Sequence, residues 1–196
     1  MTQLNAQQRE ARASRVGASE VSALTGSSKY HTPADVARRI LLGEQRESNE
    51  AMRIGSLLED RFPPMLKWRG MVVRRCHRAY VHPDPAVALS ATPDFYAKPW
   101  AGNPRGLVEA KVSSAFVADS VPPWWEDQIQ VQLGLAGRQL GYLAVLNGSK
   151  LSLVEVPFDP VHFAYLVGLV REFTESYLVP RIIPPDPEPA ITMRSK

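Results

Sequence analysis

Cysteine is nearly absent: Cys76 is the one cysteine in 196 residues. It can form no bridge within the chain, so a disulfide scaffold and a Cys-x-x-Cys zinc site are excluded. An iron–sulfur cluster is excluded too, because its ligation needs several thiolates. Long apolar runs are also missing. None approaches the roughly 18 residues of a membrane helix, and the polar start MTQLNAQQREAR does not read as a signal peptide. The expectation is a soluble, cytoplasmic protein without a membrane partner. No Gly-x-Gly-x-x-Gly stretch is present, and strands do not alternate regularly with helices, which argues against a dinucleotide-binding fold. The four histidines, His31, His77, His82 and His162, lack ligand spacing.

What is present is an ordinary globular composition, 44% hydrophobic and 22% charged, enough for a real core. The net charge of +3 is unevenly placed. Residues 1–80 carry 14 Lys+Arg against 8 Asp+Glu, whereas residues 81–196 carry 9 against 12. A basic first half suits an anionic partner such as nucleic acid.

The chain opens with a polar helix or arm over residues 1–16. A short helix follows within GASEVSALTGSS, with Ser19 as its cap and Gly26 as its end. Thr32-Pro33 starts a helix that runs to about Leu42 and stops at Gly43. A longer helix spans about 49–69, with Ala51, Ile54, Leu58, Phe62, Met65 and Leu66 on one face. Pro63-Pro64 should kink or split it. Strands are expected over 71–82, 87–97 and 106–113, the last two flanking the turn AGNPRG. Residues 123–138 return to helix with a stripe of Trp125, Ile129, Leu133 and Ala136. The clearest hairpin is GYLAVLNGSKLSLVEVPF, turning at Asn147-Gly148-Ser149. A last helix spans 160–178, with Phe163, Val167, Val170, Phe173 and Tyr177 on one side. This order predicts an α/β fold with a central mixed sheet of about five strands flanked by helices. Residues 1–180 read as one domain, and 181–196 as a proline-rich, extended or disordered tail.

The chemistry concentrates at Pro93-Asp94 and, fifteen residues on, Glu109-Ala110-Lys111. In the strand GLVEAKV, Val108, Ala110 and Val112 face a core, and Glu109 and Lys111 share the other face. Alone, Glu-x-Lys is most simply a surface ion pair. With Asp94 ending a neighbouring strand, two carboxylates meet and repel. A hard divalent ion such as Mg²⁺ relieves that repulsion, and Mn²⁺ suits the same donors. Lys111 beside it would offset charge developing on a phosphoryl group.

These residues match the PD-(D/E)xK nuclease signature. Four more segments resemble the phage lambda exonuclease and YqaJ-like viral recombinase branch of that superfamily. Gly17-Ala18-Ser19-Glu20-Val21 resembles its Gly-[Ala/Gly]-Ser-[Glu/Asp] segment. Ile54-Gly55-Ser56-Leu57-Leu58-Glu59 resembles its Trp-Gly-x-x-x-Glu helix, with Ile for Trp. Ala91-Thr92-Pro93-Asp94 resembles its Ala-[Ser/Thr]-Pro-Asp. Gln128-Ile129-Gln130-Val131-Gln132-Leu133 resembles its Gln-Val-Gln-x-Gln-Leu helix. The order and approximate spacing agree over residues 15–146, with a slightly different spacing upstream of Ser19.

The resemblance implies a restriction-endonuclease-like PD-(D/E)xK core and a role for each matching residue. Asp94 and Glu109, with the Ala110 carbonyl, would ligate two metal ions, and Glu59 would add a further carboxylate. Lys111 would position and activate the attacking water, and Gln128 would steady the water or the scissile phosphate. Ser19 and an upstream arginine, Arg15 in preference to Arg12, would hold a terminal 5′-phosphate. Thr92 would sit beside the metals. Arg74, Arg75 and Arg78 are candidates for backbone phosphate contacts, as is Arg12, while Trp124 and Trp125 read as packing residues. The implied activity is a metal-dependent 5′→3′ exonuclease on linear double-stranded DNA that releases 5′-mononucleotides. The 3′ single-stranded tail would pass to a single-strand annealing protein for phage-type recombination in a bacterial host. A ring-shaped homotrimer is carried over with it. Two alternatives stay open: a structure-specific or RecB-like endonuclease of the same fold, and a non-catalytic DNA-binding protein.

Overall fold

The structure is a computed structural model that describes residues 5–44, 49–98, 105–113 and 120–186. Helix α1 (Ala6–Ala13) is capped by Asn5, whose side chain accepts from Gln8 N–H while the Gln8 side chain returns a bond to Asn5 N–H. A two-residue strand β1 (Val16–Gly17) leads into a 3-10 turn (Ala18–Glu20) and α2 (Val21–Thr25). Ser19 lies inside that turn and caps nothing, contrary to expectation, because the chain is already wound one residue earlier. Helix α3 (Pro33–Leu42) starts as the sequence predicts. Thr32 and Asp35 form a capping box, Pro33 takes the first turn, and Gly43 ends the helix at φ +72°.

The predicted long helix is split into α4 (Glu50–Leu58), a 3-10 turn (Glu59–Arg61) and α5 (Phe62–Trp68). Pro63 and Pro64 sit in the first turn of α5, where their missing N–H groups cost no helical bond, so the break falls just ahead of them. The predicted strand 71–82 becomes β2 (Val73–Arg75) and β3 (Tyr80–Val81). The predicted strand 87–97 becomes β4 (Leu89–Ala91) and β5 (Phe95–Ala97). Pro93 has no N–H for a ladder, so pairing stops at Thr92-Pro93-Asp94 and the chain changes sheets there. Strand β6 (Gly106–Val112) follows, then α6 (Pro123–Ala136), β7 (Leu140–Asn147), β8 (Lys150–Pro157), α7 (Pro160–Phe173) and a π-helical turn (Thr174–Leu178). Only Arg105 and Gly106 of the expected turn AGNPRG lie within the described residues.

The main sheet runs β2-β5-β6-β7-β8. The pair β6–β7 is parallel and the other pairs are antiparallel. A parallel pair requires a crossover, and α6 lies in that connection. The hairpin β7–β8 turns tightly, with Asn147 paired to Lys150. A second sheet, β1-β4-β3, was not foreseen from the sequence. Its strands are two or three residues long, below what period-two patterning can detect.

On one face of β6, Val108 and Ala110 pack with Phe95, Tyr142 and Ala144 against Phe62 and Leu66 of α5. On the other, Leu107 joins Leu143, Val145 and Val156 against Ile129 and Leu133 of α6. Val131, from another side of α6, enters a third cluster with Val21, Val36, Leu89, Leu166 and Val170. Helix α6 is therefore walled in over residues 127–133, all buried. Gly134 lets α7 approach, since a Cβ there would sit 2.4 Å from the Phe163 ring. The described start of the tail docks rather than hanging free. Ile183 packs on the third cluster, and Asp186 pairs with Arg38 at 2.8 Å. Residues 187–196 lie outside the described residues.

Candidate active site

Strand β6 carries Glu109 and Lys111 on the face that α6 covers. Two residues apart on a strand, they share a side, and the Lys111 Nζ donates to Glu109 Oε1 at 2.9 Å. Gln128 and Gln132, one turn apart on α6, point at the same carboxylate. The Gln128 Nε2 donates to Glu109 Oε1, the Gln128 Oε1 accepts from Lys111 Nζ at 2.9 Å, and the Gln132 Nε2 donates to Glu109 Oε2 at 2.7 Å. Glu109 is buried. A buried carboxylate costs several kcal/mol unless it is paired and hydrogen-bonded, and three donors meet that cost here.

Asp94 ends the Thr92-Pro93-Asp94 crossover, immediately before β5. Phe95 pairs with Val108, which places Asp94 beside Glu109 in the next strand. The Asp94 Oδ2 accepts from Ala110 N–H at 2.8 Å, and its carbonyl accepts from Cys76 N–H at 2.9 Å. Burial pushes the Asp94 carboxyl well above the usual carboxylate range, and the charges of Glu109 and Glu59 push it further. The Ala110 N–H and the Lys111 charge pull against them.

Glu59 comes in from the 3-10 break between α4 and α5. It lines one cleft of about 290 Å³ together with Asp94, Glu109, Lys111 and Gln128. Thr92, Arg12 and Ser19 line the same cleft. Among the described residues, no group of three or more His, Cys, Asp or Glu side chains is gathered closely enough to hold a metal ion. Glu59 is instead held by the Arg75 guanidinium, which also binds Asp60 at 2.7 Å.

The N-terminal arginines separate. Arg12 lines the cleft beside Ser19, with its guanidinium 3.7 Å from Glu20. Arg15 lines neither this cleft nor the groove beside it. Its Nη1 folds back onto Ala11 O and Ser14 Oγ, both at 3.3 Å. The structure thus brings Arg12, not Arg15, to Ser19. Arg74 and Arg78 are exposed and lie over the Tyr96 and Tyr80 rings. Beside the cleft a wider groove of about 940 Å³ shares Arg12, Ser19, Lys111 and Gln128 with it. Its wall includes Tyr30, Trp124 and Trp125, and Trp125 also packs on the cluster around Ile129.

Sequence reasoning missed several residues that hold this site. Arg39 binds both oxygens of buried Glu20 at 2.6 and 2.8 Å. It also donates to the carbonyls of Arg12 and Arg15 at 2.9 and 2.7 Å. Glu20 in turn accepts from Gly17 N–H at 2.8 Å. This pair clamps α1 to the turn that carries Ser19. Buried Asp127, next to Gln128, accepts from Thr25, Ser27 and His162 at 2.8, 2.9 and 2.9 Å and fixes α6 to α2 and α7. Glu20 stood inside a recognised segment and Gln132 one turn from Gln128, so both carried a signal. Arg39, Asp127 and His162 carried none.

No protein-family model matches the chain, and no curated protein is similar to it in sequence. Solved structures are similar in fold. The alkaline exonuclease LHK-Exo from Laribacter hongkongensis, in its complex with dAMP, shares 22% identity at a TM-score of 0.70, covering 87% of this chain and 91% of its own. A phage-related exonuclease from Haemophilus somnus 129PT shares 12% at a TM-score of 0.63, covering 85% of this chain and 96% of its own. The α/β architecture with a five-stranded mixed sheet flanked by helices is therefore the fold of these exonucleases, and it is the fold the PD-(D/E)xK resemblance implies.

Proposed function

We propose that this chain is a deoxyribonuclease of the phage lambda exonuclease and YqaJ-like group, cutting linear double-stranded DNA from a 5′ end. The observation that carries the reading is the joint placement of Asp94, Glu109, Lys111 and Gln128 in one cleft, within a fold shared with exonucleases.

The donor types suit a hard divalent cation. The site offers the carboxylates of Asp94, Glu109 and Glu59 with the Ala110 carbonyl, and Asp94 carries a repulsion that a cation would relieve. Asp94, Glu109 and the Ala110 carbonyl would hold Mg²⁺ or Mn²⁺, two ions per site, with Glu59 completing the set. When bound, such ions neutralise charge on the phosphoryl group and lower the pKa of water.

The chain's own groups do the rest. Hydrolysis forms a bond from a water oxygen to phosphorus and breaks the bond from phosphorus to the 3′-oxygen, leaving a 5′-phosphomonoester and a 3′-hydroxyl. Lys111 presents a positive Nζ to the charge that develops. Gln128 accepts from Nζ and donates to Glu109, so it fixes the direction in which Nζ points. Arg12 and Ser19 would receive the terminal 5′-phosphate, and the aromatic-walled groove would take the strand beside it. Thr92, which lines the cleft, would sit beside the metals, and the exposed Arg74 and Arg78 would meet backbone phosphate. The annealing partner, the recombination role and a ring-shaped homotrimer belong to the same reading.

Linear duplex DNA 5′-phosphorylated on one strand is the test, with Mg²⁺ or EDTA and with circular duplex as control. Loss of the phosphorylated strand alone, stopped by EDTA, is the expected result. Equal cutting of circular and linear DNA would replace the exonuclease with an endonuclease. No cutting in either condition would leave a DNA-binding protein.

A further inference from the structure

The sequence reads Arg75 as a candidate phosphate contact, but the structure turns its guanidinium inward. Arg75 ends β2 opposite Phe95, one residue from Asp94 on the partner strand. One amino group grips Glu59 Oε1 and the other takes Asp60 Oδ1 at 2.7 Å, while the guanidinium lies 4.9 Å from the Phe95 ring centroid. The side chains of Arg75 and Glu59 are only 21% and 22% exposed. The next residue, Cys76, donates its N–H to the Asp94 carbonyl. Two consecutive residues therefore fix the backbone of Asp94 and the carboxylate of Glu59.

The turn that carries Glu59 is anchored in the core on one side only. Phe62 after it is buried, whereas every residue of α4 before it is at least partly exposed. Pro63 and Pro64 force the helix to restart at Phe62, which leaves Glu59 and Asp60 consecutive on a 3-10 turn. Both carboxylates can then reach one planar, forked guanidinium, a match that a lysine cannot reproduce.

We propose that Arg75 is a positioning residue that sets Glu59 beside Asp94 and Glu109. It thereby sets the affinity of the site for a divalent cation, instead of touching DNA. The inference rests on the nuclease reading above. Two effects of removing Arg75 compete. Freed carboxylates would attract cations more strongly, but Asp60 is largely exposed and its charge is screened. Lost placement of a ligand side chain typically costs 10- to 100-fold in metal affinity, so placement should win.

The test follows the rise in melting temperature of the full chain as Mg²⁺ or Mn²⁺ is added without DNA. Arg75→Met should need about tenfold more cation for half the effect, with Arg75→Lys in between. Glu59→Gln alone should also weaken the response, and Glu59→Gln combined with Arg75→Met should be no worse than Glu59→Gln. Duplex binding, measured at saturating cation in a Lys111→Ala background, should stay within twofold. A several-fold loss of DNA binding with an unmoved cation titration would overturn the proposal, as would additive effects of the two substitutions. Should Arg75→Met not fold, Arg75→Lys decides alone. Asp94→Asn separates the failures. If Asp94→Asn abolishes the cation response and the Arg75 variants do not move it, Arg75 alone is misassigned. If Asp94→Asn leaves it unmoved, the metal site and the Arg75 role fall together.

Discussion

Helices α4 and α6 reverse what their sequences suggest. Helix α4 separates Ile54 and Leu58 from charged neighbours as an amphipathic surface helix should, yet Ile54 is 43% exposed and Leu58 only half-buried. Helix α6 mixes Gln and Asp among its apolar residues, yet residues 127–133 are all buried. The difference is in the partners. Each buried polar side chain of α6 is matched. Gln128 and Gln132 serve Glu109, Gln130 binds Pro157 O and Asp159 N–H at 2.9 Å each, and Asp127 collects Thr25, Ser27 and His162. A polar helix can be a core element when each polar group has a named partner. An apolar stripe does not bury itself, and among the described residues no element covers that of α4 fully.

The comparison can be broken by substitution. The largest effect is expected at Lys111, which Gln128 orients. Lys111→Ala should slow cleavage by about 10²- to 10³-fold; it also removes a donor from buried Glu109 and should cost about 1–3 kcal/mol in urea unfolding. An unaltered single-turnover rate would discard the mechanism. Next comes Gln132→Leu, which removes one donor from buried Glu109. It should cost about 1–3 kcal/mol in urea unfolding and weaken cleavage as well. Gln130→Leu should cost a similar stability while sparing cleavage, because Gln130 bonds the backbone of Pro157 and Asp159 and not Glu109.

Asp94 adds a dependence on pH. Its carboxyl titrates above the unfolded value of about 3.9. Between those two values the folded chain holds more protons than the unfolded chain, so stability falls as pH rises through that window. In EDTA, Asp94→Asn should therefore melt higher than the parent near pH 7, and the two should converge towards pH 4. A lower melting temperature for Asp94→Asn near pH 7 would mean that the carboxylate is held by its donors more than it is repelled. The smallest effect belongs to α4. Leu57→Glu should change stability by no more than about 0.5 kcal/mol, and a larger loss in a melting experiment would show that this face is covered in solution.

Much of this was legible in the chain itself. The Thr32-Pro33 start and Gly43 stop of α3, the β7–β8 hairpin, β6 and α6 all follow from local stereochemistry or from periods long enough to read. Asp94, Glu109, Lys111, Gln128 and Glu59 were legible by resemblance, and the structure gathers them into one cleft. Other features were not. The strands expected over 71–82 and 87–97 each divide between two sheets, since short ladders leave no periodic trace. The choice of Arg12 over Arg15 depends on where α1 ends relative to Glu20 and Arg39, nineteen residues apart in sequence.

By itself the sequence determined where α3 caps and stops, which residues alternate across β6, and which chemical groups are available. Those properties depend on neighbours a few residues away. Only the tertiary structure decided that Glu109 is buried yet matched, that Arg75 holds Glu59, and that α6 is enclosed by the described residues while α4 is not. Each of these is a pairing between segments far apart in the chain, and a local pattern carries no record of the partner that will cover it.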